Sequence, residues 1–196
     1  MENIFKIKKF STTESNFAIN FKNLLSPASK KVTNNISNVV NEIIYEVKDV
    51  GDDALKKYIK KFDKLDIDSV DSLEVSNEVV KNAYTKISKD QKKALEIAAK
   101  RIKTFHEKQK IEPFEYFDEY GSKISMQVLP IQKVGIYVPG GKAAYPSSVL
   151  MNTIPAKVAG VKEIIMVVPS SDYEINEMVL AAAFISGVDK IFKIGG

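Results

Sequence analysis

Residues 134–148 read VGIYVPGGKAAYPSS, an apolar run followed by a Pro-Gly-Gly corner and a small-residue stretch fit to open a helix. A strand, a glycine turn and a helix in that order can bring backbone N–H groups to an anion. The spacing is not that of the common nucleotide loops, because neither GxGxxG nor the GK[ST] ending of a Walker loop occurs here. Gly140 and Gly141 allow close approach of another group or a positive φ, and Ser147 and Ser148 are candidate caps for the next helix. From the residues alone, a structural turn and a ligand loop both remain open. Tyr137 is more informative: Val134, Ile136 and Val138 form one alternating set, so Tyr137 points to the opposite face. At the carboxyl end of a parallel strand, a ring with a hydroxyl handle can line a planar cofactor. A packed sheet tyrosine satisfies the same pattern. Tyr145 has the same chemistry, but the Pro146 that follows points to a turn.

Other chemical constellations are missing. The chain has no GxSxG elbow, no HExxH helix and no EF-hand loop. It has no cysteine and a single histidine, His106, too few ligands for a zinc site within this chain. No catalytic residue and no metal ligand is therefore assigned. His106 follows Phe105 in FHEKQK, the position of a partly buried polar residue near a helix end, and its role stays open. Asp52, Asp53, Glu107 and Asp118 lack the pattern of an acid-base pair and read as caps or solvated groups.

Composition narrows the class. A length of 196 residues, 44% hydrophobic and 28% charged, suits a globular protein with a real core. The net charge of +4 comes almost wholly from lysine interleaved with acids, and Arg101 is the one arginine. Base and phosphate recognition favours arginine, so nucleic acid is excluded as a partner. No apolar run reaches the roughly 18 to 20 residues of a spanning helix, and MENIFKIKKF lacks a hydrophobic signal core. The reading is no membrane partner and a cytoplasmic location.

Two regions must position these residues. Residues 1–123 read as a mainly helical amino-terminal region. Ile36, Val39, Val40, Ile43, Ile44 and Val47 recur at helical spacing, Gly51 interrupts, and Leu55, Tyr58, Ile59 and Phe62 follow on a second helix. LDIDSVDSLEVSNE alternates like a strand. Ser88 to Gln91 has capping-box spacing and opens a helix to Lys108 carrying Leu95, Ala98, Ile102 and Phe105. Residues 124–196 read as strands and helices in alternation. The extended pieces are 124–129 and 134–138, then a helix spans 147–157 with a kink or new turn at Pro155 and a stop at Gly160. EIIMVVP at 163–169 is a buried parallel strand, 172–186 a helix ended by Gly187, and KIFKI at 190–194 the next strand. This is an α/β protein with an incomplete Rossmann-like parallel sheet (βαβαβ) behind a helical region. Gly195-Gly196 stands where a binding loop should begin in such a sheet.

VGIYVPGGKAAYPSSVLMNTIPAKVAGVKEIIMVVP resembles the hallmark stretch of the histidinol dehydrogenase family, and GDDALKKYIKKFD and ALEIAAKRIKTFHEKQ resemble family segments in the same order. The resemblance runs from about residue 30 to the last residue. It implies two successive NAD-dependent oxidations, L-histidinol to L-histidine through L-histidinaldehyde, in a zinc-containing homodimer with incomplete Rossmann-like domains and sites shared between subunits. The tyrosine of the family's YVPGG string contacts NAD, a role that falls on Tyr137. Family chains are about twice this long, and their zinc ligands, their Glu-His acid-base pair and further NAD contacts would lie beyond Gly196.

The resemblance therefore predicts an amino-terminal portion that is inactive alone, through truncation or as one half of a split enzyme. The alternative is a non-catalytic nucleotide- or protein-binding module. A sheet that stops at its third parallel strand leaves an edge and an apolar face open, so poor solubility or self-association is also expected.

Overall fold

The computed structural model describes residues 9–25, 30–140, 144–169 and 174–195. The chain divides into two compact units, Met1–Ala54 and Leu55–Gly196. In the first, α1 (Phe17–Leu25) precedes α2 (Lys30–Val50), whose stripe leaves Ile36, Val39, Val40 and Ile44 exposed. Gly51 then turns the chain into α3 (Asp52–Phe62), with Asp52 and Asp53 in its first turn and Tyr58 and Ile59 buried.

The second unit continues with α4 (Asn77–Lys86), α5 (Lys89–Glu107), β1 (Phe114–Phe117), β2 (Lys123–Met126), β3 (Lys133–Tyr137), α6 (Pro146–Ala159), β4 (Glu163–Val168), α7 (Glu177–Ser186) and β5 (Lys190–Lys193). Strands β3, β4 and β5 form a parallel sheet in that order, so helices flank an incomplete Rossmann-like sheet behind a helical region. Both crossovers step across the sheet in the same direction, and α6 and α7 pack against each other. On β4 the residues Ile164, Met166 and Val168 are buried, while Ile165 and Val167 between them are only half-buried. Helix α7 buries Val179 through Ala183, and α4 and α6 pack along it.

Local signals explain the helix ends. Ser88 Oγ accepts from the Gln91 N–H at 3.2 Å, and the Ser88 N–H donates to Gln91 Oε1 at 2.9 Å, closing the expected capping box on α5. Asn176 Oδ1 caps α7 by accepting from the Met178 N–H at 2.9 Å. Gly160 and Gly187 end α6 and α7 in the left-handed conformation.

Several expectations change. The extended piece at 124–129 is not a strand of the parallel sheet: β2 ends at Met126 and pairs antiparallel with β1. Asp118 makes that hairpin, its Oδ1 accepting from the N–H groups of Tyr120 (2.9 Å) and Ser122 (2.8 Å). LDIDSVDSLEVSNE is a short 3-10 turn at Val70–Leu73, one bridge from Glu74 to Phe192, and the start of α4. Ser69 and Ser76 accept backbone N–H bonds there, which favours turns over a strand. The α7 helix opens only after Asn176, while 172 and 173 lie outside the described residues. Helix α6 continues through Pro155.

Asp189, just before β5, ties the sheet to α6. Its carboxylate accepts from Lys157 Nζ (2.9 Å) and the Ile164 N–H (2.8 Å), and its own N–H donates to the Ile164 carbonyl (3.0 Å). Burial raises its carboxyl, but the bonds from Lys157 and Ile164 and the lysine charge outweigh that and hold it below the ordinary aspartate value. Asp189→Ala should lower unfolding free energy by about 1 kcal/mol at pH 7, allowing for its partial exposure. A depressed folded value means this stabilisation is full above the ordinary aspartate range and lost as pH falls through the folded value. Urea unfolding at pH 7 and pH 3 checks both, and the gap between variant and wild type should narrow at the lower pH.

Candidate functional site

Open parallel sheets place their ligands beyond the carboxyl ends of the strands. Here that end is built by the residues leaving β3, β4 and β5. Tyr137 closes β3, paired with Val167, which pairs in turn with Phe192. Ile136 and Val138 are 7% and 0% exposed, while Tyr137 is 54% exposed, so its ring stands on the face away from α6 and α7, as the alternation requires.

The turns after the strands meet in backbone contact. A Cβ built on Gly140 would lie 2.3 Å from the Pro169 carbonyl oxygen, so only glycine lets the β3 turn approach the β4 turn this closely. Gly195, two residues past β5, has φ of +123°, and a Cβ there would lie 3.2 Å from Tyr137 Cε2 and 3.6 Å from Pro169 Cγ. The Tyr137 ring therefore reaches across the end of β4 to the turn after β5. Asp63, at the exit of α3, brings a carboxylate close to the Gly195 N–H, and Glu74, bridged to Phe192, lines a cleft of about 500 Å³ at this end with Glu174, Glu177 and Lys193. Burial pushes the Asp63 carboxyl above the ordinary aspartate value, and the nearby Gly195 N–H pulls it part of the way back. The sequence offered no sign of Asp63, a lone acid after a lysine-rich helix.

Other candidates fall elsewhere. Gly141 lies outside the described residues, as do 142, 143 and 170–173. Ser147 and Ser148 do not cap α6: the cap position is Tyr145, with no side-chain bond, and Pro146 occupies the first turn, where its fixed φ suits a helix and its missing N–H costs nothing. His106 bonds Gln109 (Nδ1 to Oε1, 2.6 Å) and lines a cleft of about 500 Å³ with Pro113, Leu129, Pro130 and Ala159, at the amino ends of the strands. A cleft of about 510 Å³ lined by Lys100, Lys103, Lys157 and Ile185 opens at that same end. Glu107 pairs with Lys103 at 3.9 Å on the helix surface. The carboxyl end is the stronger candidate, because the segments leaving β3, β4 and β5 meet there at Gly140, Pro169 and Gly195.

Residues 26–196 match the family model described as histidinol dehydrogenase. The chain belongs to the histidinol dehydrogenase family. It is 45% identical over 194 residues to the histidinol dehydrogenase of Hydrogenovibrio crunogenus, covering 98% of this chain and 44% of that protein. It is also 45% identical over 190 residues to that of Neisseria meningitidis serogroup A, covering 97% and 44%. The crystal structure of histidinol dehydrogenase from Elizabethkingia anophelis superposes with a TM-score of 0.76 at 32% identity, over 91% of this chain and 40% of that one. The chain thus spans less than half the length of these relatives.

The exposed face of Tyr137 at the strand end offers a flat apolar surface for a planar group. A zinc ion does not fit, since among the described residues no group of three His, Cys, Asp or Glu could hold one. Among the described residues, too, no helix is long and apolar enough to cross a membrane.

Gly140→Ala tests the contact between turns. It should cost about 1–3 kcal/mol, since the new methyl meets a backbone carbonyl and not a flexible side chain. Urea unfolding monitored by circular dichroism measures this, and an unchanged midpoint would show that the turns can separate freely.

Proposed function

We propose that this chain supplies the first half of the NAD site of a cytoplasmic histidinol dehydrogenase. The reaction is the oxidation of L-histidinol to L-histidine through L-histidinaldehyde, carried out by a homodimer. The observation that carries the reading is Tyr137: an exposed ring at the carboxyl end of β3, walled by the Gly140 and Gly195 turns, in a chain of this family. Residues 124–196 act as the cofactor half and 1–123 as the helical region behind it.

NAD, when bound, would supply a two-electron hydride acceptor for each of the two oxidations, first of the alcohol and then of the aldehyde after it has taken up water. The chain's own residues bind and orient. Tyr137 offers a flat apolar surface for stacking and a hydroxyl for hydrogen bonding. Gly140 and Gly195, lacking side chains, let the turns after β3 and β5 close against Pro169 and the Tyr137 ring, which sets where that ring stands. Proton removal from the alcohol needs a base positioned by hydrogen-bond geometry against the substrate, and neither Asp63 nor Glu74, Glu174 and Glu177 of the neighbouring cleft is assigned that role. The reading therefore takes the base and the zinc from outside this chain, and the 196-residue protein alone as inactive.

Calorimetric titration with NAD tests the binding half of the reading. Heat should be released at millimolar NAD or below, and Tyr137→Ala should weaken affinity by about fivefold or more, the size of one lost aromatic contact. Unaltered binding in that variant would sink the assignment. Zinc-dependent turnover of L-histidinol by the purified chain would sink the claim of inactivity.

A further inference from the structure

Helix α2 carries an apolar face that its own unit leaves uncovered. Ile36, Val39, Val40, Ile44 and Val50 on that face are between 43% and 60% exposed, and Ile43 and Val47 among them are half-buried. Within the first unit, no other described helix makes an extended contact with α2. Ile36, Val40, Ile43, Val47 and Val50 follow the alternating four- and three-residue spacing of a coiled-coil seam, with Val39 and Ile44 on its flanks. A helix of 21 residues is marginal in water by itself and draws its stability from burying such a face.

We propose that this face docks a second copy of the chain, with the two α2 helices antiparallel. The register that sets Val40 against Ile43 of the partner subunit also sets Ile36 against the partner's Val47 and Val39 against the partner's Ile44, so six apolar residues meet only apolar residues. A stripe that matches itself in this way closes as a two-fold pair. Charge selects the same direction. The helix opens with Lys30-Lys31 and gathers Glu42, Glu46 and Asp49 toward its other end, so a parallel pair would set acids beside acids. An antiparallel pair separates them, brings the basic end toward the acidic one and opposes the helix dipoles. Area agrees as well: the five exposed side chains leave on the order of 300 Å² of apolar surface per copy. As a little over half of an interface is apolar, the pair would bury about 1,000 Å² in total, the size at which specific interfaces begin. The inference goes beyond the NAD reading, because it gives the homodimer a surface and does not depend on Tyr137.

Sedimentation velocity of the full 196-residue chain in the micromolar range should show a species of twice 21.9 kDa. Val40→Glu, which puts two like carboxylates near the centre of the pair, should raise the dimer dissociation constant by about tenfold or more. Tyr120→Glu, at the exposed tip of the β1–β2 hairpin, should leave it within about twofold. The chain has no cysteine, so introduced cysteines report the register directly. Ile36→Cys mixed with Val47→Cys should form a disulfide-linked dimer on oxidation. Either variant alone should not, because in the antiparallel register each residue lies roughly 16 Å along the helix axis from its own copy. The cross-link decides the matter even where Val40→Glu disturbs α2 itself.

A chain that stays monomeric throughout the micromolar range would overturn the inference and leave the α2 face to a different partner. A dimer unaffected by Val40→Glu but lost in Tyr120→Glu would overturn it in favour of the hairpin, while the homodimer reading stands. Ile36→Cys linking to itself would overturn the antiparallel register. None of these outcomes bears on the comparison of NAD binding between wild type and Tyr137→Ala, so the two readings fail separately.

Discussion

Ile164, Met166 and Val168 leave 2% or less of their surface to water, and they lie on the strand with a neighbour on each edge. Their burial under α6 and α7 is the contact on which the second unit depends. Burying side chains of this size contributes on the order of 1.5–3 kcal/mol each. It also sets register, because a slip of one residue would turn Ile165 and Val167 inward and expose Met166. Once β4 is fixed, β3 and β5 inherit their register from it, and with them the height at which Tyr137 and Gly195 end.

The sheet's two faces then divide the labour. One is packed by helices whose apolar residues run almost all the way round, as Val179 through Ala183 do on α7. The other carries Tyr137, Val167 and Phe192 in a paired row and is only partly covered. Stability is concentrated on the first face, and the residues with spare chemistry stand on the second. Charge is handled at the opposite end of the strands, where Lys157, Asp189 and the Ile164 N–H close the sheet against α6.

What could be read from the sequence was whatever depends on near neighbours. Ser88 and Gln91 form their capping box within one turn, so the start of α5 was legible. EIIMVVP and the alternation around Tyr137 were legible for the same reason, as was the glycine-ended helix at Gly187. Helix α4 was missed because Val80 and Ala83 become buried only through contact with α7, far along the chain. The β1–β2 hairpin was missed because both strands are exposed along nearly their whole length, which leaves no alternation to see. The candidate site was half legible: Tyr137 and the glycines stood out, whereas the approach of Gly140 to Pro169 and of Gly195 to Tyr137 exists only after the sheet has been laid down.

The contact between Gly140 and Pro169 also bears on motion. Gly140 and Pro169 meet with no side chain on the glycine to act as a spacer, so a shift of Gly140 toward β4 presses directly on the Pro169 carbonyl. At Gly140 and Pro169, therefore, displacement of one strand end is felt by the other.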